Sequence, residues 1–199
     1  MPVVQVHLVR HGESTWNREG RLQGQTIHPP LTARGLQQAS AAATTVADLL
    51  DAPAMLWSSD LLRAARTASV IGRHLRLPVH HEESLREQHL GTMEGRLARH
   101  LRPQPTPSGR HVADVRWGGG ESVADVYRRV GRFLRRELAS ASECGARHLV
   151  AVSHGDTIRV ATAWLAGRDH RNVDWKPLPN GSVTTVSVDP WCLTRMDGD

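Results

Sequence analysis

Short apolar runs alternate along the chain with longer segments in which apolar residues recur at helical spacing. The short runs are rich in valine and leucine and are bounded by glycine, proline or small polar residues, which is typical of buried strands. The predicted strands cover residues 3–9, 55–59, 77–81, 148–152 and 183–188.

The longer segments have helix-start signals. Thr32 is an expected N-cap for an alanine-rich helix that runs to about residue 50, and Asp60 is an expected N-cap for a helix whose apolar positions continue to residue 71. The sequence S-V-A-D from Ser122 resembles a capping box, so a long amphipathic helix is predicted over residues 122–139.

A further helix over residues 156–165 completes the alternation of strand and helix. This order is typical of an α/β fold, and we expect a three-layer α/β/α sandwich with a mostly parallel central sheet. A chain of 199 residues can bury one good hydrophobic core but is short for two, so a single domain over residues 1–199 is expected. The proline-rich segment 102–110 is expected to be a loop within it.

Two predicted strands end in nearly the same way, in the sequences LVRHG and AVSHG. Ligands of parallel sheets bind beyond the carboxyl ends of the strands. If these two strands are neighbours, His11 and His154 meet at that edge, and the pair is the most informative feature of the sequence.

A histidine that attacks phosphorus must be neutral at the attacking nitrogen and must lie close to cations that offset the phosphoryl charge. Arg10 lies beside His11, and Arg63 near the start of a predicted helix can supply a second cation. Glu87, in the loop LREQHLG, is the candidate acid for the leaving oxygen, and Glu13 is the alternative.

Other charged residues have simpler interpretations. Arg66 and Arg159 are expected to be solvated, and Glu94 is either functional or a loop residue that binds backbone amides. A group of arginines on the 122–139 helix is expected to form its solvated face. These are Arg128, Arg129, Arg132, Arg135 and Arg136.

Six segments follow one another in a characteristic order: LVRHGEST.WN, PLT..G..QA, SSDLLRAARTA, LREQHLGTMEG, GGES..DV..R and AVSHG. In this order they resemble the histidine phosphatase superfamily, the phosphoglycerate mutase-like proteins. The resemblance covers residues 3 to about 165 and returns at NGSV from Asn180.

The resemblance implies a phosphatase in which His11 is the nucleophile that becomes phosphohistidine. It also implies that Arg10, Arg63 and His154 form the phosphate pocket and that Glu87 is the proton donor. A second set of positions matches those that contact phosphate or substrate in the family, namely Asn17, Gln23 and Gly24. Neither a metal nor another cofactor is expected, because the arginines and histidines supply the positive field.

Three functions stay open at this point. Hydrolysis of a small phosphorylated metabolite is favoured over a cofactor-dependent phosphoglycerate mutase, because the chain lacks the lysine-bearing continuation after MEG that mutases usually show. The formal charge of +5 also permits a basic binding protein for nucleic acid or an acidic partner. No interleaving of aromatic and basic residues supports that third function.

The sequence predicts a cytoplasmic protein that is a monomer or homodimer. No segment approaches membrane-spanning length, and the N-terminus lacks the basic region of a signal peptide. Cys144 and Cys192 match no metal or redox spacing and are expected to be ordinary thiols. Three segments are expected to border the phosphate pocket and to select the leaving group. They are the stretch after Gly24, the excursion over residues 99–117 and the loop over residues 175–179.

Overall fold

The computed structural model describes residues 3–102 and 105–189. Cys192 and two residues of the predicted proline-rich loop, 103 and 104, lie outside this part of the chain. The strands are β1 (Val4–Arg10), β2 (Ala54–Ser58), β3 (Val79–His81), β4 (His148–Ser153) and β5 (Val183–Val188). The α-helices are α1 (Thr15–Glu19), α2 (Ala33–Leu49), α3 (Leu62–Leu75), α4 (Val123–Cys144) and α5 (Gly155–Leu165).

The five strands form one sheet in the order β3-β2-β4-β1-β5. The β2–β3, β2–β4 and β1–β4 pairs are parallel, and β5 is antiparallel to β1 at the edge. Alternate side chains of β1 and β4 therefore enter two different cores. Leu8 packs with apolar residues of α4 and α5, whereas Val9 packs with those of α2 and α3. The predicted three-layer sandwich with a mostly parallel sheet is confirmed.

Helix caps explain several element boundaries. Thr32 accepts a hydrogen bond from the amide of Gly35 at 3.0 Å, as its predicted N-cap role requires. Ser122 and Asp125 form the predicted capping box of α4. This helix runs five residues past the predicted end at Ala139, because it stops only where Gly145 adopts a left-handed conformation with φ of 76°.

The prediction that Asp60 caps α3 is wrong. The N-cap of this helix is Leu61, which makes no side-chain cap, and the Asp60 carboxylate is bound by the guanidinium of Arg86 from the loop after β3. The apolar pattern does not predict α1, a single turn with its own capping box between Ser14 and Asn17. Within the described residues, no helix is both long and apolar enough to cross a membrane.

Candidate active site

The parallel pairing of β1 and β4 brings the two motif histidines together. Arg10 is in register with Ser153, so the residues that follow, His11 and His154, leave the sheet side by side. Their ring centroids lie 5.0 Å apart, and both side chains are buried. The chain thus places two imidazoles from distant segments at the carboxyl edge of the sheet.

His11 is held in one orientation by its own backbone. Its Nδ1 lies 2.7 Å from the carbonyl oxygen of Gly12, a contact in which Nδ1–H donates and Nε2 keeps the free lone pair. Burial lowers the pKa of His11 well below its ordinary value, and the nearby Arg63 guanidinium lowers it further. The imidazole is therefore neutral near pH 7, with Nε2 available to attack.

Arg63 is a fully buried arginine in the first turn of α3. Its two terminal nitrogens donate to the carbonyl oxygens of Thr26 at 2.8 Å and Gly24 at 2.7 Å. Burial lowers the pKa of Arg63 to about 10, although Glu87 and Glu94 oppose that shift. The guanidinium stays charged at neutral pH and is oriented by the loop that contains Gly24.

Glu94 holds this loop from the other side. Its carboxylate accepts hydrogen bonds from the amide of Gln25 at 2.9 Å, the hydroxyl of Thr26 at 2.9 Å and the amide of Leu90 at 3.0 Å. A side chain at Gly24 would put its Cβ 2.1 Å from the Glu94 carboxylate, and φ of 48° there also favours glycine. Of the two interpretations left open for Glu94, binding to backbone amides is the one that these hydrogen bonds confirm.

Three buried donor atoms at this edge have no hydrogen-bond partner within the described part of the chain. They are Nε of Arg10, Nε of Arg63 and Nδ1 of His154. The other ends of these groups are held: Arg10 donates to the carbonyl oxygen of Leu178, and Nε2 of His154 lies 2.9 Å from Oγ of Ser59. Buried polar atoms without partners are rare, and this set fits the oxygens of a tetrahedral anion.

The Glu87 side chain, from the loop after β3, contacts the first turn of α5, the helix that begins directly after His154. Its Oε1 accepts hydrogen bonds from the amide of Thr157 at 3.2 Å and the amide of Gln88 at 3.0 Å. The same oxygen lies 3.1 Å from the hydroxyl of Thr157, which donates to the carbonyl oxygen of Arg86 at 2.8 Å. The alternative acid, Glu13, accepts instead from the hydroxyl of Thr32 at the start of α2. The geometry therefore favours Glu87 over Glu13 as the carboxyl beside the histidines.

The second set of residues matched to the family, Asn17, Gln23 and Gly24, lies around the loop that contains His11. The side-chain oxygen of Asn17 accepts from the amide of Ser14 at 3.1 Å and from the carboxamide of Asn180 at 3.2 Å. The Asn180 carboxamide also donates to the carbonyl oxygen of His11. The hydroxyl of Ser14 lies 2.7 Å from Oε1 of Gln23. The structure thus brings Asn17 and Gln23 into one network that supports the loop, and Gly24 contributes its carbonyl to Arg63.

Two arginines that were expected to be solvated are engaged in this region. Arg129 on α4 donates to the carbonyl oxygen of Glu87 at 3.0 Å and makes two hydrogen bonds to the carboxylate of Glu121. Arg159 on α5 donates to the carbonyl oxygen of Lys176 at 2.8 Å and to Asp156 at 2.8 Å. The solvated interpretation is wrong for both, whereas Arg66 is exposed as expected.

Asp156 also lies at the site, although the sequence did not indicate it. Burial, and then the Glu87 carboxylate, raise the pKa of Asp156 to about 6, although Arg159 and Arg10 oppose the shift. The available signal was its position two residues after His154, in the corner that follows β4. The Asp156 carboxylate acts on Arg10, where it opposes the lowering of the guanidinium pKa by burial.

The excursion over residues 99–117 borders a cavity of about 940 Å³ that none of the five predicted catalytic residues lines. Leu101 and Trp117 from the excursion line it together with Arg21 and Arg96. The third predicted wall, over residues 175–179, reaches the histidines through Leu178, whose carbonyl oxygen binds Arg10. Of these two walls, the one at Leu178 therefore touches the site directly.

A mostly parallel α/β sheet with two histidines and two arginines at its carboxyl edge is typical of a class of proteins that bind a phosphoryl group there. The match of residues 6–194 to the model of the histidine phosphatase superfamily, branch 1, identifies the family. The chain belongs to the histidine phosphatase superfamily.

Similar proteins include a phosphatase and a probable phosphoglycerate mutase. The chain is 35% identical to a glucosyl-3-phosphoglycerate phosphatase of Mycolicibacterium vanbaalenii, over all of this chain and 89% of the relative. It is 37% identical to a probable phosphoglycerate mutase, GpmB, of Shigella boydii, over 83% of this chain and 80% of the relative.

Solved structures agree with this assignment. A mycobacterial glucosyl-3-phosphoglycerate phosphatase in complex with VO3 has a TM-score of 0.80 and 32% identity, over 92% of each chain. A phosphoserine phosphatase mutant of Entamoeba histolytica in complex with phosphoserine has a TM-score of 0.73 and 27% identity, over 92% of this chain and 89% of the other. The expectation of a phosphatase is confirmed at this level.

Proposed function

We propose that the protein hydrolyses a phosphate monoester of a small metabolite without a metal ion, through a phosphohistidine on Nε2 of His11. One observation carries this proposal. A neutral, buried His11 with its Nδ1 bound to the Gly12 carbonyl lies beside three buried donors that have no partner in the described chain, on Arg10, Arg63 and His154.

In the first step Nε2 of His11 attacks phosphorus while the bond to the ester oxygen breaks. Nε of Arg10, Nε of Arg63 and Nδ1 of His154 donate to the oxygens of the phosphoryl group in flight, in a pocket from which most water is excluded. Glu87 gives a proton to the departing alkoxide. The alcohol leaves, and the carboxylate of Glu87 is unprotonated.

In the second step water attacks the phosphohistidine. Glu87 accepts a proton from this water, so the acid of the first step is the base of the second. Phosphate and neutral His11 are released, and Glu87 holds its proton again. The Arg129 guanidinium, bonded to the Glu87 carbonyl, keeps the acid loop in place through both steps.

A phosphoglycerate mutase is the second candidate, and the relative from Shigella boydii favours it. A mutase returns the phosphoryl group to a bound acid, whereas a phosphatase transfers it to water. The lysine that mutases usually show after MEG is absent here, since Lys176 is the single lysine of the chain. Hydrolysis is therefore the proposed outcome.

A nucleic-acid-binding role is not supported. Several arginines of the basic α4 helix are paired with acids, such as Arg128 with Asp125 at the helix start and Arg136 with Glu82 and Glu137. Paired charges contribute little to the attraction of a polyanion. The cytoplasmic location and the monomeric or homodimeric state expected from the sequence stay predictions.

The substrate class follows from the relatives only by analogy. Their names include glucosyl-3-phosphoglycerate and phosphoserine, both small polar phosphorylated metabolites. The test is a panel of phosphorylated sugars, sugar acids, amino acids and nucleotides, assayed for released phosphate and for isomerised product. Release of phosphate from one class is expected, with chelator having no effect; isomerised product without phosphate release would establish the mutase instead.

A further inference from the structure

The hydroxyl of Ser59 contacts the imidazole of His154 on the side away from its unpartnered nitrogen. Ser59 directly follows β2 and is fully buried, and its Oγ lies 2.9 Å from Nε2 of His154. Nδ1 of the same ring is buried and has no partner within the described part of the chain. The two ring nitrogens therefore differ: Nε2 is bound to a hydroxyl, and Nδ1 is free for the oxygens of a phosphoryl group.

His154 carries a single ring proton near neutral pH. Burial lowers the pKa of its imidazole well below the ordinary value, and the Arg63 guanidinium and the His11 imidazole lower it further. A neutral imidazole has one N–H donor and one nitrogen with a free lone pair, and either nitrogen can carry the proton. Which of the two carries it depends on the partner that each one has.

The second contact of Ser59 sets the direction of its hydrogen bond to His154. The amide of Leu61, the N-cap residue of α3, donates to Oγ of Ser59 at 3.3 Å. A serine hydroxyl has one proton to donate, and within the described residues Nε2 of His154 is the acceptor that it contacts. If Nε2 carried the proton, the Ser59 hydroxyl would be buried without an acceptor. The hydroxyl therefore donates to Nε2, and the proton of His154 is on Nδ1.

The position of this proton decides whether His154 attracts or repels a phosphoryl oxygen. With the proton on Nδ1, the ring adds a third buried donor to the Nε atoms of Arg10 and Arg63. With the proton on Nε2, Nδ1 would present a lone pair to the negatively charged oxygens. A donor that already points at the developing charge stabilises the transition state without further rearrangement.

Resting on the hydrolysis proposed above, we propose that Ser59 holds His154 in the tautomer with its proton on Nδ1 and so directs a donor at the transferred phosphoryl group. Ser59 is a positioning residue, because it acts on the reaction through His154. The same segment carries Arg63 in the first turn of α3. The sequence SSDLLR thus supplies one cation of the phosphate pocket and fixes the proton of its neutral donor.

The tautomer can be measured in the unmodified protein. With ¹⁵N in the histidine side chains, long-range proton–nitrogen NMR spectra distinguish a protonated ring nitrogen from one with a free lone pair. The signals lost in His154→Gln assign the ring. At pH 7 without a ligand, Nδ1 of His154 should have the shift of a protonated nitrogen and Nε2 that of an acceptor. The reverse pattern, an even mixture of tautomers or two protonated nitrogens would overturn the proposal.

Ser59→Ala should move the proton of His154 towards Nε2, because the hydrogen bond that favours Nδ1–H is lost. Removal of one oxyanion donor costs roughly 10²–10³-fold in rate, so a partial loss of this donor should lower kcat/KM on 4-nitrophenyl phosphate by about 10-fold. The same factor is expected on phenyl phosphate, since His154 acts on the transferred group and not on the leaving oxygen. The inhibition constant of vanadate should rise by a similar factor.

Two further variants separate the hydroxyl from the packing around it. Ser58→Ala is the matched control, because it removes a buried hydroxyl that donates to the carbonyl oxygen of Ser59 at 2.8 Å and does not contact His154. It should keep the proton on Nδ1 and should change kcat/KM by less than about 3-fold. Ser59→Thr keeps a hydroxyl and should retain both the tautomer and most of the activity.

An unchanged tautomer in Ser59→Ala, or a changed tautomer with the kcat/KM of the wild type, would contradict the role of Ser59. Equal losses in Ser58→Ala and Ser59→Ala, with one tautomer in both, would show a structural role only. If Ser59→Ala does not fold by circular dichroism, the spectrum of the unmodified protein decides. His11→Ala distinguishes the two levels: if it keeps its turnover, the hydrolysis mechanism is wrong, whereas the tautomer of His154 is measured without turnover.

Discussion

The same two strands carry two buried histidine pairs, and these pairs are built in opposite ways. His11 and His154 follow β1 and β4, with ring centroids 5.0 Å apart, and His7 and His148 lie within β1 and β4, with centroids 5.2 Å apart. Proximity and burial are therefore alike in the two pairs. Their hydrogen bonds are what distinguishes them.

The inner pair has a partner for every ring nitrogen. Nδ1 of His7 lies 3.0 Å from the hydroxyl of Thr185, Nε2 of His7 lies 2.9 Å from Nδ1 of His148, and Nε2 of His148 lies 2.8 Å from Asp51. The outer pair leaves Nδ1 of His154 without a partner in the described residues, and the neighbouring Nε atoms of Arg10 and Arg63 also lack one there. A histidine pair whose ring nitrogens all have hydrogen-bond partners stabilises the sheet, whereas a pair with a free buried donor can bind a ligand.

The sharpest test of this comparison exchanges one histidine in each pair. His11→Ala should abolish hydrolysis of 4-nitrophenyl phosphate, by roughly 10³-fold or more in kcat, because the attacking nitrogen is gone. His148→Gln should retain most of the activity. The measurement is steady-state turnover with circular dichroism of both variants; comparable turnover in His11→Ala would refute the nucleophile assignment.

Arg63→Lys should give the next largest effect, a loss of roughly 10²-fold in kcat/KM. A lysine cannot bind the carbonyls of Gly24 and Thr26 and still present a donor to the phosphoryl oxygens. Arg66→Lys, on the exposed face of the same helix, is the matched control and should leave kcat/KM unchanged. Equal kcat/KM in Arg63→Lys and the wild type would show that this guanidinium is only structural.

The inner pair should matter for stability. His148→Gln cannot reproduce both contacts of the imidazole and leaves a buried nitrogen of His7 poorly paired, so the free energy of unfolding should fall by about 1–3 kcal/mol. Urea denaturation at pH 7 measures this change. If His148→Gln is as stable as the wild type, the network contributes nothing beyond packing.

The inner pair should also make stability depend on pH. Burial first, and then the neighbouring His148, lower the pKa of His7 to about 4 in the folded chain, against 6.5 for an ordinary histidine. The unfolded chain thus binds a proton at a higher pH than the folded chain does. The stability from this group is complete above about pH 6.5 and is lost as the pH falls towards 4.

This histidine alone should lower the free energy of unfolding by about 2 kcal/mol between pH 7 and pH 5. His11 and His154 act in the same direction, since burial lowers the pKa of both. The slope of stability against pH should therefore be shallower in His7→Gln than in the wild type, with urea titrations at each pH as the measurement. Identical slopes would contradict the low pKa of His7.

Much of the molecule was predictable from the sequence because it depends on local patterns. The strands, the Thr32 cap and the capping box at Ser122 follow from short-range rules, and two repeated strand endings indicated that His11 and His154 meet. The same local reasoning assigned Asp60 to a helix cap. Its actual partner, Arg86, is 26 residues away, and a nearby cation outweighs a weak cap.

The misassigned arginines show the same limit. On a helical wheel Arg129 falls on the polar face, but its guanidinium reaches a loop 42 residues earlier in the chain. Asp156 and Arg159 likewise gain their roles from Glu87 and the loop at Lys176. Amphipathic periodicity locates the polar face of a helix and carries no information on which other segment covers it.

The hydrogen bonds of Glu94 limit how the substrate selectivity of this enzyme can be changed by replacing its 99–117 segment. Glu94 lies in the segment that leads into the 99–117 excursion, but two of its hydrogen bonds go to Gln25 and Thr26. These residues belong to the loop whose Gly24 and Thr26 carbonyls orient Arg63. A chimera that grafts a foreign excursion to change what the enzyme accepts must therefore keep this one side chain. Without Glu94, the graft would also disturb the loop that orients the Arg63 guanidinium, and phosphate binding would weaken together with the change in selectivity.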